Sequence, residues 1–201
     1  ALVKDPSTGK TLAHWPLALE TAKCIVGELL DQDIYVQAYV NDTLLVPADC
    51  AKAQYYAKFS RVPFEVAGAG LRQLAEAPHK LLVIDDDPEP IRRHLVTVYG
   101  NAIKIVSSSK GFLEITDPET NKWRALQFLM KRFEVTREEI LTVGDSDNDY
   151  EMVAHAGVGV AMGNAKETIQ KAARIITASN TQSGVSLILR SVMTNQVDVP
   201  E

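Results

Sequence analysis

Residues 141–152 read LTVGDSDNDYEM, and this run says more about the architecture than any other part of the chain. An apolar segment leads directly into three aspartates at alternate positions, Asp145, Asp147 and Asp149. Carboxylates crowded at the end of a strand repel one another unless a cation or a proton lies among them. The run therefore predicts a buried strand that ends in an acidic loop with a positive partner.

The segments around this loop alternate between helical and strand patterns from Asn121 onward. The helical patterns are NKWRALQFLMKRF, DYEMVAHA, AKETIQKAAR and GVSLILRSVM, and the strand patterns are ILTVGD, GVGVAMG and IITA. Such alternation predicts an α/β fold with a parallel sheet flanked by helices. Ligands of open parallel sheets bind beyond the carboxyl ends of the strands. Asp145 lies at such an end.

Two explanations of the acidic loop stay open at this point. Mg²⁺ prefers one or two carboxylates together with water and substrate phosphate, which suits an aspartate at a strand end. Alternatively, Asp145 or Ser146 begins the next helix as its N-cap, and the other acids stabilise the positive end of that helix. An EF-hand calcium loop does not fit, because Tyr150 stands where that loop needs glycine.

The first part of the chain mixes strand pairs with helices. Residues 1–17, ALVKDPSTGKTLAHWPL, predict a β-hairpin, because a Pro/Ser/Gly turn separates two short alternating segments. Several strands and helices follow up to the segment TDPETN, after which helical and strand patterns alternate regularly. We therefore expect a boundary at about residue 117, after an α+β region.

Composition excludes several classes of protein. The 201-residue chain has a formal net charge of -5 and no basic stripe, which argues against a nucleic-acid partner. It contains no apolar run long enough to span a bilayer and no signal peptide, so no membrane partner is expected. These features favour a protein of the cytoplasm.

Residues 143–177, with SGV at 183–185, closely resemble the C-terminal signature of haloacid dehalogenase-like (HAD) hydrolases, in the Cof-type branch with an α/β cap. The resemblance implies a partial Rossmann-like parallel-sheet core together with an α+β cap domain. It assigns residues 1–17 to a hairpin of the core, residues 18–116 to the cap and residues 117–201 to the C-terminal half of the catalytic core.

The resemblance also implies an activity, a cofactor and site residues. Members are Mg²⁺-dependent phosphatases that hydrolyse small phosphorylated metabolites through an aspartyl-phosphate. By position, Asp145 would be a metal ligand, and Asp149 would be either a further metal ligand or a residue that supports the site without touching the metal. Lys122 and Asn148 would hold the phosphate. Lys122 and Asp145 would be the catalytic residues of this chain. A fixed ammonium and a cation can both stabilise a phosphoryl group in transfer.

The nucleophile of the family is the first aspartate of a DxDGT motif, and the chain has no such motif near its start. Asp85 and Asp87 form a D-x-D pair after the apolar run KLLVI, but Pro88 stands where glycine is expected, and the resemblance places the pair in the cap. Aspartates before a Pro-Glu helix start are also explained by N-capping. The chain is therefore expected to be a fragment, inactive without an N-terminal segment.

Two functions follow from these features. The first is a phosphatase whose N-terminal segment, or a second subunit, covers the open edge of the sheet. The alternative is a non-catalytic module, derived from such an enzyme, that binds a cation or a phosphorylated metabolite or docks another protein.

Overall fold

The computed structural model describes residues 2–194, apart from the side chain of Ser108. The chain divides into two compact units, residues 1–120 and residues 121–201. Among the described residues, no helix is both long and apolar enough to cross a membrane.

The first unit combines a hairpin with a larger sheet. Its strands are β1 (Leu2–Lys4), β2 (Thr11–His14), β3 (Val36–Val40), β4 (Thr43–Val46), β5 (Phe64–Val66), β6 (Lys80–Ile84), β7 (Lys104–Ser109) and β8 (Phe112–Thr116). Its helices are α1 (Leu19–Asp31), α2 (Ala51–Ser60) and α3 (Glu89–Tyr99), with 3₁₀ turns at Gly68–Gln73 and Gly100–Ala102. Strands β1 and β2 pair antiparallel, as the sequence predicts.

The larger sheet has the strand order β5-β4-β3-β6-β8-β7. Strands β4 and β5 are parallel, and the other neighbours are antiparallel. Side chains alternate between the two faces of a sheet, so each face buries its own apolar set. Helices α1 and α3 cover one face, where Ile25 and Leu95 pack against Val36 and Leu81. Helix α2 packs on the other face.

Contacts between two histidines join the hairpin to the larger sheet. His14 Nε2 lies 2.5 Å from His79 Nδ1, and the backbone N–H of Leu17 donates to the carbonyl oxygen of Pro78 at 2.9 Å. Burial lowers the pKa of both imidazoles below their ordinary value, and their proximity adds to the effect at His79. The pair is therefore held in a neutral state, in which one ring donates to the other.

We expect this pair to make the first unit less stable in acid. A histidine whose pKa is depressed by folding binds its proton more readily in the unfolded chain, so stability falls as the pH drops below about 6.5. Replacing His79 by Gln should remove part of this pH dependence. We expect the fall in melting temperature between pH 7.5 and pH 5 to be about 4 °C smaller in the variant than in the wild type. Thermal unfolding at both pH values measures it. A slope unchanged in His79→Gln would contradict the prediction.

The second unit is built on a parallel sheet. Its strands are β9 (Leu141–Gly144), β10 (Val158–Ala161) and β11 (Ile175–Ile176), and its helices are α4 (Lys122–Phe133), α5 (Tyr150–His155), α6 (Glu167–Ala172) and α7 (Gly184–Met193). The strand order is β11-β10-β9, and both pairs of neighbours are parallel. The predicted α/β class with a parallel sheet is therefore confirmed. Assigning residues 1–17, 18–116 and 117–201 to core and cap stays a prediction.

Candidate functional site

The acidic loop follows the carboxyl end of β9. Asp145 leaves the strand with an exposed side chain, and a 3₁₀ turn at Asp147–Asp149 leads into α5. Ser146 is the N-cap of this turn and forms a capping box with Asp149. Of the two N-cap candidates, Ser146 and not Asp145 is the cap, and the element that it caps is the short turn before α5.

Asp149 is buried at the centre of the loop. Its Oδ2 accepts hydrogen bonds from the backbone N–H groups of Asp145 at 3.0 Å and Ser146 at 3.2 Å. Its Oδ1 accepts one from Lys122 Nζ at 2.5 Å. Burial alone would raise the pKa of Asp149, but the hydrogen bonds from Lys122 and the two backbone groups outweigh burial and hold the pKa below its ordinary value. Asp149 is therefore ionised, and its hydrogen bonds fix the backbone at Asp145 and Ser146.

The close approach of Asp149 to the strand requires a glycine at position 144. A Cβ atom on Gly144 would lie 2.5 Å from the Cβ of Asp149 and 3.0 Å from Cγ2 of Val153. Any larger residue would therefore push the aspartate away from the backbone groups that it binds.

We expect Gly144→Ala to destabilise the protein by about 1–3 kcal/mol, because overpacking displaces Asp149 and Val153. The matched control is Gly70→Ala, since a Cβ on Gly70 would meet no atom within 4 Å. Chemical denaturation of both variants measures the difference. Equal stabilities for the two variants would contradict the close packing at Gly144.

Lys122 reaches the loop from the start of α4. Asn121 is the N-cap of this helix, and its side chain accepts a hydrogen bond from the backbone N–H of Arg124 at 2.7 Å. The Lys122 side chain remains 52% exposed beside Asp149. The structure thus brings two of the predicted site residues into direct contact, and the ammonium keeps a solvent-facing side that an anion can approach.

Asp145 and Asn148 lie on the exposed side of the loop. Ser146 Oγ lies 3.2 Å from Asp145 Oδ1 and 2.8 Å from Asn148 Oδ1. The Asn148 amide oxygen therefore accepts from Ser146, which leaves its NH₂ group as the donor that an anion would meet. All four predicted residues belong to one region of the second unit.

The donors present at the loop suit Mg²⁺ better than a metal bound entirely by protein. Among residues 2–194, no group of three His, Cys, Asp or Glu side chains converges to hold an ion. Mg²⁺ commonly keeps several waters and takes one or two carboxylates plus substrate oxygens. The exposed carboxylate of Asp145 fits that requirement, whereas both oxygens of Asp149 are already hydrogen-bonded. Direct ligation by Asp149 would cost those bonds.

Sequence reasoning missed Lys166 as a member of this region. Its ammonium forms an ion pair with Asp147, and its backbone N–H donates to the carbonyl oxygen of Asp145 at 3.2 Å. The two residues of the ion pair are 19 positions apart, so no local spacing signals the contact. For Ser146, in contrast, the S-x-x-D spacing to Asp149 was a readable signal.

The second D-x-D pair belongs to the first unit. Asp85 Oδ1 accepts a hydrogen bond from the backbone N–H of Asp87 at 3.0 Å, and Asp85 Oδ2 lies 3.5 Å from Lys52 Nζ. The N-cap residue of α3 is Pro88, so the idea that an aspartate caps this helix is wrong. Asp85 instead closes a local turn before the helix.

Comparison with known proteins places this fold and loop in a family. The model of the haloacid dehalogenase-like hydrolases matches residues 1–189. A crystal structure of a Thermotoga maritima protein is 33% identical, with a TM-score of 0.83 over 94% of this chain and 72% of that one. The chain therefore belongs to the haloacid dehalogenase-like hydrolase family, as the resemblance predicted.

The curated relatives are longer than the regions that match. A Haemophilus influenzae protein is 38% identical over 114 residues, which make up 56% of this chain and 44% of that protein. The phosphatase YwpJ of Bacillus subtilis is 37% identical over 95 residues, which make up 47% of this chain and 33% of YwpJ. The chain thus matches less than half the length of these two relatives.

Proposed function

We propose that this chain is part of a Mg²⁺-dependent phosphatase that hydrolyses phosphate monoesters of small metabolites. The observation that carries the proposal is the loop after β9, where the exposed carboxylate of Asp145 stands on a backbone held by the Lys122–Asp149 ion pair. The family membership and the name of its relative YwpJ support the same activity.

Each residue of the loop has a role in this proposal. Asp145 would hold Mg²⁺, which when bound supplies positive charge to the phosphate oxygens. Lys122 and Asn148 would bind the phosphate through the ammonium and the amide NH₂. Of the two roles that the resemblance leaves open for Asp149, we favour the supporting one, in which it orients Lys122 and the loop, because its carboxylate is already hydrogen-bonded at both oxygens.

The nucleophile in this proposal is an aspartate outside the 201 residues, carried by an additional N-terminal segment that also covers the open edge of β9. Its carboxylate would attack phosphorus, the bond to the leaving-group oxygen would break, and water would hydrolyse the aspartyl-phosphate. Residues 18–116 would form the cap that excludes bulk water and selects the substrate.

Hydrolysis of a matched set of esters tests this function. We expect the polypeptide extended by its upstream reading frame to hydrolyse p-nitrophenyl phosphate, and to leave bis(p-nitrophenyl) phosphate intact because a diester lacks the doubly charged phosphoryl group. The 201-residue chain alone should release no phosphate from either ester. Equal activity on both esters would contradict a monoesterase, and binding of cation or phosphate without turnover in the extended polypeptide would favour a non-catalytic module.

A further inference from the structure

The β1–β2 hairpin forms a sheet of its own within the first unit. In the described part of the chain, β1 and β2 pair only with each other, so no ladder of backbone hydrogen bonds joins them to the larger sheet. The polar connections between the hairpin and that sheet include His14 to His79, the backbone N–H of Leu17 to Pro78, and Lys4 to Asp42. A two-stranded hairpin is at best marginally stable alone. The position of this hairpin therefore depends on such contacts.

The strongest candidate for control of this junction is the contact between the two imidazole rings. The ring centroids of His14 and His79 are 4.3 Å apart, the ring planes meet at 66°, and His14 Nε2 lies 2.5 Å from His79 Nδ1. Two neutral rings suit this geometry, because one nitrogen donates and the other accepts. The backbone N–H of His79 donates to the carbonyl oxygen of Tyr39 at 2.7 Å. The contact thus joins the hairpin to a residue that is held on the larger sheet.

The same contact does not suit two charged rings. His79 Nε2 is buried and has no hydrogen-bond partner among the described residues, so a proton on this nitrogen would find no acceptor. With both rings protonated, two N–H donors would face each other at the contact with His14, and two positive charges would lie side by side. Separation of the hairpin from the larger sheet would relieve both costs.

The charged groups around the pair do not compensate for this repulsion. Asp42 favours protonation of His79, but it is paired with Lys4, which opposes protonation. The amino terminus of the chain opposes protonation of both rings. Lys80 and Glu114, which line the same pocket as His79, pair with each other at 3.1 Å. The surroundings therefore leave the paired rings neutral near pH 7.

We propose that His14 and His79 form a pH-sensitive latch, which holds residues 2–17 on the larger sheet when both rings are neutral and releases them when the rings are protonated. In the released hairpin both rings are in water and bind protons at the ordinary histidine pKa near 6.5. The closed state is therefore fully favoured above about pH 6.5. Below that value the ratio of open to closed molecules rises by up to about tenfold per pH unit for each histidine.

Hydrogen exchange at Leu17, measured by NMR on the 201-residue chain, tests the latch, because this amide bonds across the junction to Pro78. After correction for the intrinsic pH dependence of exchange, we expect its protection factor to fall at least about tenfold between pH 7 and pH 5.5. Leu17 should also be less protected than Ile25, which is buried in α1, because the latch opens without global unfolding. An unchanged protection factor at Leu17, or equal protection of the two amides at both pH values, would overturn the latch.

A matched pair of variants assigns the pH dependence to these two rings. His14→Gln/His79→Gln has no titratable ring at the junction, and we expect the protection factor of Leu17 to change by less than about threefold over the same pH range. His94→Gln is the control, since it removes a histidine of the first unit that pairs with Glu28 instead. This control should keep the full tenfold change. The same change in both variants would overturn the assignment. The latch lies entirely in the first unit, so the outcome is independent of the ester assays.

Discussion

Asp145→Asn is expected to lower the Mg²⁺-dependent hydrolysis of p-nitrophenyl phosphate by at least about 100-fold in the extended polypeptide. The substitution keeps the size of the side chain but removes the charge that would hold the cation. Because Asp145 is exposed and, within the described residues, its carboxylate contacts only the adjacent Ser146 hydroxyl at 3.2 Å, folding should be little affected. Initial rates as a function of Mg²⁺ concentration measure both the activity and the apparent affinity for the cation.

The control for this prediction is Asp147→Asn, two residues further along the same loop. Asp147 is also exposed and pairs with Lys166, and exposed ion pairs contribute little. We expect its activity to stay within about threefold of the wild type. A loss in Asp147→Asn as large as that in Asp145→Asn would mean that general loop charge, and not a specific ligand, supports the reaction.

Asp149→Ala is expected to cause the largest loss of stability, about 2–4 kcal/mol in the free energy of unfolding. The alanine would leave two backbone N–H groups and the Lys122 ammonium without their acceptor. Lys122→Met should lower the free energy of unfolding by less, because about half of the lysine side chain is exposed to water. Urea denaturation of the two variants and of the double variant measures how much of the loss belongs to the ion pair.

The pH dependence of Asp149 supplies a second test. Because folding lowers the pKa of this carboxyl, its contribution is fully present above the ordinary aspartate value near 3.9 and is lost as the pH falls through the lower folded value. The stability difference between wild type and Asp149→Ala should therefore shrink in that acid range. A difference that is small at neutral pH, below about 0.5 kcal/mol, would contradict the central place given to this residue.

Much of the second unit could be predicted because its signals are local. The alternation of apolar runs with helical spacing indicated the parallel sheet and placed Asp145 at the carboxyl end of a strand, whereas Lys122, at the start of α4, was indicated by the family resemblance. The sequence pattern did not show which of the three carboxylates is exposed and which is buried and hydrogen-bonded. Three aspartates look alike in sequence, but only burial and partners separate Asp149, which is hydrogen-bonded at both oxygens, from the exposed Asp145.

The features that could not be predicted depend on contacts between distant residues. The Lys166–Asp147 pair and the His14–His79 pair join positions 19 and 65 residues apart. The strand order of the first unit, in which β6 lies between β3 and β8, is likewise a tertiary result. Each strand alone carries only a short apolar pattern, which does not specify its neighbours.

The most direct test of the proposed phosphatase is phosphate release from p-nitrophenyl phosphate by the extended polypeptide, first in EDTA and then after Mg²⁺ is restored. We predict no turnover in EDTA and full recovery with Mg²⁺. Hydrolysis that persists in EDTA, or no hydrolysis of the monoester under either condition, would contradict the role proposed for the loop after β9.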